Sequence, residues 1–229
     1  MSPSDDKPWF HAAVQLLDVR RQDRLLALYC DLRQTRDLAT LVGGRGELIV
    51  LMPDREMAES VAEQGWPQVS VLAHEAKGNE SFGSFDAMLI APTTGPLLPS
   101  GAFAELSLRN LRPGGRLVVD VPGPDMVPDL CLAWQQLDWP RSRYEPLLGI
   151  GDDTLAGILR SAGLRGVHGV LGAHLLHPAT PADLVDAFAP SFALTDVERV
   201  ELTHALVRCR GGHGPFDVLV HRTRLQALR

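Results

Sequence analysis

Three histidines stand close together in the segment from Val167 to His177, at positions 168, 174 and 177. Imidazoles brought onto one helical face can share a divalent metal. The residues between them, Gly-Val-Leu-Gly-Ala and Leu-Leu, read instead as a strand followed by a loop, which aims the rings apart. Surface or loop histidines are the simpler reading and no metal site is expected, while His174 and His177 stay candidates for the substrate side of a pocket. Trp134, Trp139 and Tyr144 lie around Arg141 and Arg143. Such a set could bracket a small molecule with aromatic faces and hold its carboxylate in a guanidinium fork, although tryptophans more often pack in a core or at its rim. Gly43-Gly44-Arg45-Gly46 superficially suggests a phosphate loop, but it precedes a strand, where a phosphate loop must join a strand to a helix. Helix termination explains it better. No Gly-x-Ser-x-Gly nucleophile elbow is present. Cys30, Cys131 and Cys209 are odd in number with no close pair, which argues against a disulfide framework or a cysteine zinc site.

The elements that must hold these residues alternate along the chain. An amphipathic helix is expected from about Trp9 to Val19, with Phe10, Ala13, Val14 and Leu17 on one side. Leu25 to Cys30 and Leu48 to Met52 are unbroken apolar runs, as in strands buried on both faces. Helices follow each: one ending at Gly43-Gly44, one capped by Asp54 with Met57, Ala58 and Val61 inward. Strands at Val69–Leu72, Phe85–Ala91 and Arg116–Val121 continue the pattern, with a helix over 102–111 and a Pro113-Gly114 turn before the last of them. Repeated strand–helix alternation with apolar strands predicts a mostly parallel sheet covered on both faces. Further on, a helix capped by Asp152 or Asp153, a strand over 164–171, helices over 178–190 and 195–209, and a closing strand from Phe216 to Val220 are expected. The longer helix carries Val200, Leu202 and Leu206.

The 229 residues, 45% of them hydrophobic, suffice for a full core without staples. One domain over residues 1–229 is expected, with a helical insertion at about 175–210. Lys and Arg number 22 against 28 Asp and Glu, a formal charge of −6. A nucleic-acid binder would carry a basic face to displace counterions from phosphate, so none is expected as partner. No apolar run reaches membrane-spanning length, and Met1-Ser-Pro-Ser-Asp-Asp-Lys-Pro8 is polar and acidic, unlike a signal peptide. A cytoplasmic protein without a membrane partner is the expectation.

The order of elements, Phe85-Asp86-Ala87 opening one strand, and Leu111-Arg-Pro-Gly-Gly-Arg-Leu-Val-Val119 leading into the next, resemble class I S-adenosylmethionine-dependent methyltransferases. The tail is similar to the trans-aconitate methyltransferase-type branch: Ser161-Ala162-Gly163-Leu164, then a strand, then the segment from Pro181 through Ala189-Pro190-Ser191-Phe192 and a last long helix. The resemblance implies a Rossmann-like α/β fold, a seven-stranded sheet with the last strand antiparallel. It also implies a crevice that holds the methyl donor by a glycine-rich loop after the first strand and by acidic residues at the ends of the first three strands.

Laid onto that pattern, Ala27 stands where the first acid is expected, and Tyr29, Asp31 and Arg33 stand where the glycines are, with Cys30 between them. Glycines there allow positive backbone dihedrals and leave room for the ligand. Met52 replaces the ribose-binding carboxylate, although Asp54 lies two residues on, and Glu75 alone keeps a carboxylate at the adenine position. The sequence therefore reads as a degenerate methyltransferase-like protein without a cofactor or donor-dependent catalysis, acting as a binding or assembly partner with another protein or as a homo-oligomer. An active S-adenosylmethionine-dependent methyltransferase on a small organic acid is the alternative. A binder of another nucleotide-like or anionic ligand, held by Arg33 at the helix start, is the third.

Overall fold

The computed structural model describes residues 8–92, 100–140, 142 and 149–229. After α1 (Pro8–Leu17) the chain enters β1 (Arg24–Leu28), α2 (Leu32–Val42), β2 (Glu47–Met52), α3 (Arg55–Ala62), β3 (Val69–Ala73) and β4 (Phe85–Ile90). It continues through α4 (Ser100–Asn110), β5 (Leu111–Pro122), α5 (Pro128–Gln135), α6 (Asp152–Ser161) and β6 (Arg165–Leu176). Helix α7 (Pro181–Phe188), a 3-10 turn (Ala189–Phe192) and α8 (Asp196–Arg210) lead to β7 (Val218–Leu228). The seven strands form one sheet in the order β3-β2-β1-β4-β5-β7-β6. β7 runs antiparallel to both its neighbours and every other pairing is parallel.

The apolar runs of β1 and β2 lie in the middle of the sheet, buried on both faces as their composition requires. One face is packed by α1, α2, α3, α5, α7 and α8, through side chains such as Phe10, Leu38, Val61, Leu130, Leu184 and Leu202. The opposite face is covered by α4 and α6, through Phe103, Leu106, Leu155 and Leu159. Local chemistry sets the helix ends. Asp31 accepts from the Gln34 N–H while the Gln34 side chain returns to the Asp31 N–H, a capping box that starts α2. Gly43 ends it at φ +68°, and a Cβ on Gly46 would come within 2.6 Å of the Val42 carbonyl oxygen. The glycines around Arg45 thus terminate a helix and turn a tight corner.

Several expectations are corrected. Met57 is 42% exposed, being turned about 100° around the helix from Ala58. Gly151, not an aspartate, is the N-cap of α6; Asp152 and Asp153 sit in its first turn, where negative charge complements the helix dipole. The Pro113-Gly114 turn lies within the start of β5, with Gly114 at φ +79° and its N–H donating to the Arg229 carbonyl at 2.9 Å. The largest change is at the far edge. β6 was expected to stop at Leu171 and β7 at Val220, but they form one continuous antiparallel ladder from Leu176↔Val218 to His168↔Gln226. Polar residues His174, His221, Arg222 and Arg224 break the apolar alternation in the sequence, yet each finds a partner: His174 beside Arg224 across the ladder, both arginines on Asp120 of β5, and His221 on the Pro124 carbonyl.

Candidate functional site

The chain leaves β1 toward β2 and β3 on one side, and β4 begins the run toward the other side. Ligands of open α/β sheets sit at the carboxyl ends of the strands where this reversal occurs. At that point Tyr29 adopts φ +64°, a left-handed conformation that costs a non-glycine residue roughly 1–2 kcal/mol. Its N–H donates to the Leu51 carbonyl at 2.9 Å, which anchors the loop to β2. The side chain is half-buried against the α4/α6 face of the core, which also includes Phe82 and Ile150. Burial first, then the charges of Glu75 and Glu80, push its phenol up to about 12. Tyr29 thus stands at the end of β1 within the electrostatic influence of the loop that follows β3.

The unfolded chain ionises tyrosine near pH 10, whereas folded Tyr29 keeps its proton to about 12. Between these values the folded state holds more protons, so stability falls as pH rises through this window. In a Tyr144→Phe background, phenolate absorbance is expected to appear near the upper end of the window. A titration complete near the lower end would contradict the burial of Tyr29.

The other residues of the crevice are placed by structural duties. Ala27 is wholly buried in β1 between Val50 and Leu89 of the flanking strands, and Cys30 is wholly buried as well. The Asp31 carboxylate is engaged in capping α2, and Arg33 is half-buried in the first turn of that helix. Met52 is buried at the end of β2, and its carbonyl accepts from the His74 N–H at 2.8 Å. Asp54 caps α3, accepting from the N–H groups of Glu56 and Met57 at 2.9 and 3.2 Å. Glu75 is exposed just beyond β3.

Glu80 was not singled out in the sequence, yet it organises the loop facing Tyr29. Its carboxylate accepts from the N–H groups of Lys77 and Gly78 at 2.7 and 2.9 Å and lies 3.2 Å from His74 Nε2. Burial alone would raise its pKa, but these hydrogen bonds outweigh it and hold the carboxyl below its usual range. Buried Asn110 completes the loop, accepting from the Phe82 N–H at 2.6 Å and donating to the Glu80 carbonyl at 2.9 Å.

At the carboxyl ends of β4 and β5 lies a second polar group that the sequence did not suggest. Asp120 of β5 faces Arg224 of β7 across the ladder, with Arg222 at the diagonal position. Arg222 Nε donates to Asp120 Oδ1 at 2.7 Å and Arg224 Nε to Oδ2 at 2.5 Å. Arg222 and Asp120 are fully buried. Arg222 Nη2 also donates to the Pro92 carbonyl at 2.6 Å, and Arg224 Nη2 to the Trp9 carbonyl at 3.0 Å. Arg224 Nη2 lies 3.3 Å from His174 Nε2, which must accept because a guanidinium has no lone pair to offer. Burial first, then the Arg224 charge, lower the pKa of His174, with Asp120 opposing. Its imidazole is thus held neutral, packed edge-on to Trp9.

The remaining sequence candidates are not brought together. Trp134 is 1% exposed and makes edge-to-face contacts with Trp139 and Phe192, so it is core packing, not a ligand face. His177 Nδ1 lies 2.7 Å from Asp217 Oδ1 on the surface, remote in role from His174. Arg141, Arg143 and Tyr144 lie outside the described residues. Among the described residues no cluster of His, Cys, Asp or Glu could hold a metal. Burial first, then Asp125, push the Cys131 thiol up to about 11, far from a reactive thiolate.

Neither a protein-family model nor a curated protein sequence matches the chain. Solved structures do. The YcgJ protein of Bacillus subtilis is similar over 97% of this chain and 98% of its own, with a TM-score of 0.65 at 13% identity. A SAM-dependent methyltransferase of Aquifex aeolicus is similar over 100% and 98%, with a TM-score of 0.54 at 16% identity. The fold is that of the class I methyltransferases. The same methyltransferase fold is shared by the [4+2]-cyclase SpnF, covering 97% of this chain and 80% of that one, with a TM-score of 0.56 at 15% identity. A methyltransferase fold is thus compatible with differently named reactions, and activity must be argued from the site.

Proposed function

We propose that this chain is a non-catalytic member of the methyltransferase fold that acts by binding or assembly and does not hold S-adenosylmethionine in the usual pose. The observation that carries the reading is Tyr29. Its backbone keeps the left-handed dihedral that a glycine would supply at that turn, while a half-buried aromatic side chain stands where a glycine would have none. The loop's backbone shape is kept, and we infer that the ring takes the space a glycine would leave open. The acidic grips have gone as well: Ala27 and Met52 are buried and apolar, and Asp54 is engaged in a helix cap. A charged hydrogen bond to ribose is worth about 1.5–3 kcal/mol, so its loss alone weakens a donor tenfold or more.

Three cysteines without a disulfide suit a reducing compartment, in keeping with a cytoplasmic protein. Among the described residues no helix is long and apolar enough to cross a membrane.

The test is calorimetry with S-adenosylmethionine and its demethylated product, paired with thermal denaturation. A ligand at a hundredfold its dissociation constant adds about 2.7 kcal/mol to stability. No heat and no shift are expected. Micromolar binding would replace this reading with the alternative, an active methyltransferase whose exposed Glu75 reads adenine. Binding confined to other nucleotides or anions would favour a site built on Arg33.

A further inference from the structure

We propose that the outer edge of β6 is an interface at which two copies of this chain pair, strand against strand, about a two-fold axis. The inference gives the assembly role a surface and a partner. It rests on that reading only for the role, since the surface is a property of the strand. β6 is twelve residues long and ends the sheet, with no neighbour beyond it among the described residues. Its one buried side chain is Val167; the four consecutive residues 168–171 are all exposed, so the strand is bare on both faces over its middle. The apolar residues there are large. Val170 is 53% exposed on one face, and Leu171, Leu175 and their β7 neighbour Leu219 are 46–47% exposed on the other.

Natural edge strands are blunted by shortness, by charges pointing along the edge, by proline or by a covering element. The opposite edge, β3, has only five residues and is packed by α3. In β6 such features are confined to its start, where a bulge falls between Arg165 and His168 and Arg160 of α6 donates to the Val167 carbonyl at 3.0 Å; from His168 to Leu176 there is no Lys, Arg, Asp, Glu or Pro. Such an edge is completed by another strand, which supplies backbone hydrogen bonds along the edge and side-chain contacts on both faces.

Charge points to a second copy as that strand. The chain carries −6 overall, so most of its surfaces repel one another in a dimer. The β6 strand is a long stretch free of carboxylates, and the positive groups at it, Arg165 and the Arg160 guanidinium on the Val167 carbonyl, both lie at its start. An antiparallel pairing about an axis near Val170 and Leu171 is isologous. It sets the two apolar centres against each other and keeps the two Arg165 side chains at opposite ends. No like charges meet.

Sedimentation equilibrium of the full chain is expected to give a dimer of 24.9 kDa protomers. Val170→Lys/Leu171→Lys should give a monomer with unchanged circular dichroism, whereas Leu132→Lys, at an exposed residue of α5, should stay dimeric. If the double variant does not fold, Leu175→Lys alone serves the same purpose. Hydrogen exchange of the native peptide 165–176 should quicken on dilution, a readout that needs no variant. A native chain that is monomeric at all concentrations, or a dimer untouched by the lysine variants, overturns the proposal. Neither result bears on donor binding, which calorimetry decides separately.

Discussion

Asp120→Asn is expected to cost about 3–5 kcal/mol of folding stability, the loss found when one partner of a buried ion pair is removed. The carboxylate is fully buried and is bonded by the guanidiniums of Arg222 and Arg224. Without it, Arg222 and Arg224 both lose the carboxylate that bridges them inside the sheet. The damage should spread, because the same arginines fasten the carbonyls of Pro92 at the end of β4 and Trp9 in α1. Urea denaturation with constant m-value measures the effect. Replacing the trio together, as Asp120→Leu/Arg222→Met/Arg224→Leu, should recover much of the loss, since apolar replacements of buried ion clusters are often neutral. A loss below about 1 kcal/mol for Asp120→Asn would place that cluster in contact with water.

The second large effect concerns Tyr29. Tyr29→Gly should remove the left-handed strain and the ring at once. Burying an aromatic ring is worth about 1.5–3 kcal/mol at most and the strain about 1–2 kcal/mol, so the two nearly offset. Tyr29→Ala removes the ring and keeps the strain, and should fall about 1 kcal/mol below the glycine variant. The same glycine variant should bind the demethylated product at least tenfold more tightly than the native chain, or about 1.4 kcal/mol. Equal stabilities for glycine and alanine would remove the backbone argument; equal affinities would show that the ring is not what excludes the donor.

Much of the sheet was legible because its centre obeys simple rules. β1 and β2 are continuous apolar runs, and only a strand buried on both faces requires them. The Asp54 cap and the Gly43 stop are local signals and hold in the structure. The ends of β6 and β7 were not legible, because an inward-facing arginine looks the same in sequence as a solvated one. Val218, Val220, Arg222 and Arg224 share one side of β7, and only the ladder with β5 shows that Asp120 awaits the last two.

The candidate site divides in the same way. That Tyr29, Asp31, Arg33 and Met52 lack the chemistry of a donor site follows from their types. That Tyr29 keeps a glycine's dihedral, that Asp31 and Asp54 serve as caps, and that Glu80 ties the facing loop are facts of backbone geometry. Trp134 was a candidate ligand contact on position alone, and burial against Trp139 and Phe192 assigns it to the core.

Crystals grown in a large excess of S-adenosylmethionine examine the crevice itself. The Tyr29 ring is expected to stay half-buried against the α4/α6 face, with no donor at the ends of β1 and β2. A donor seated in its usual orientation, whether alongside that ring or with the ring swung aside, would contradict the account.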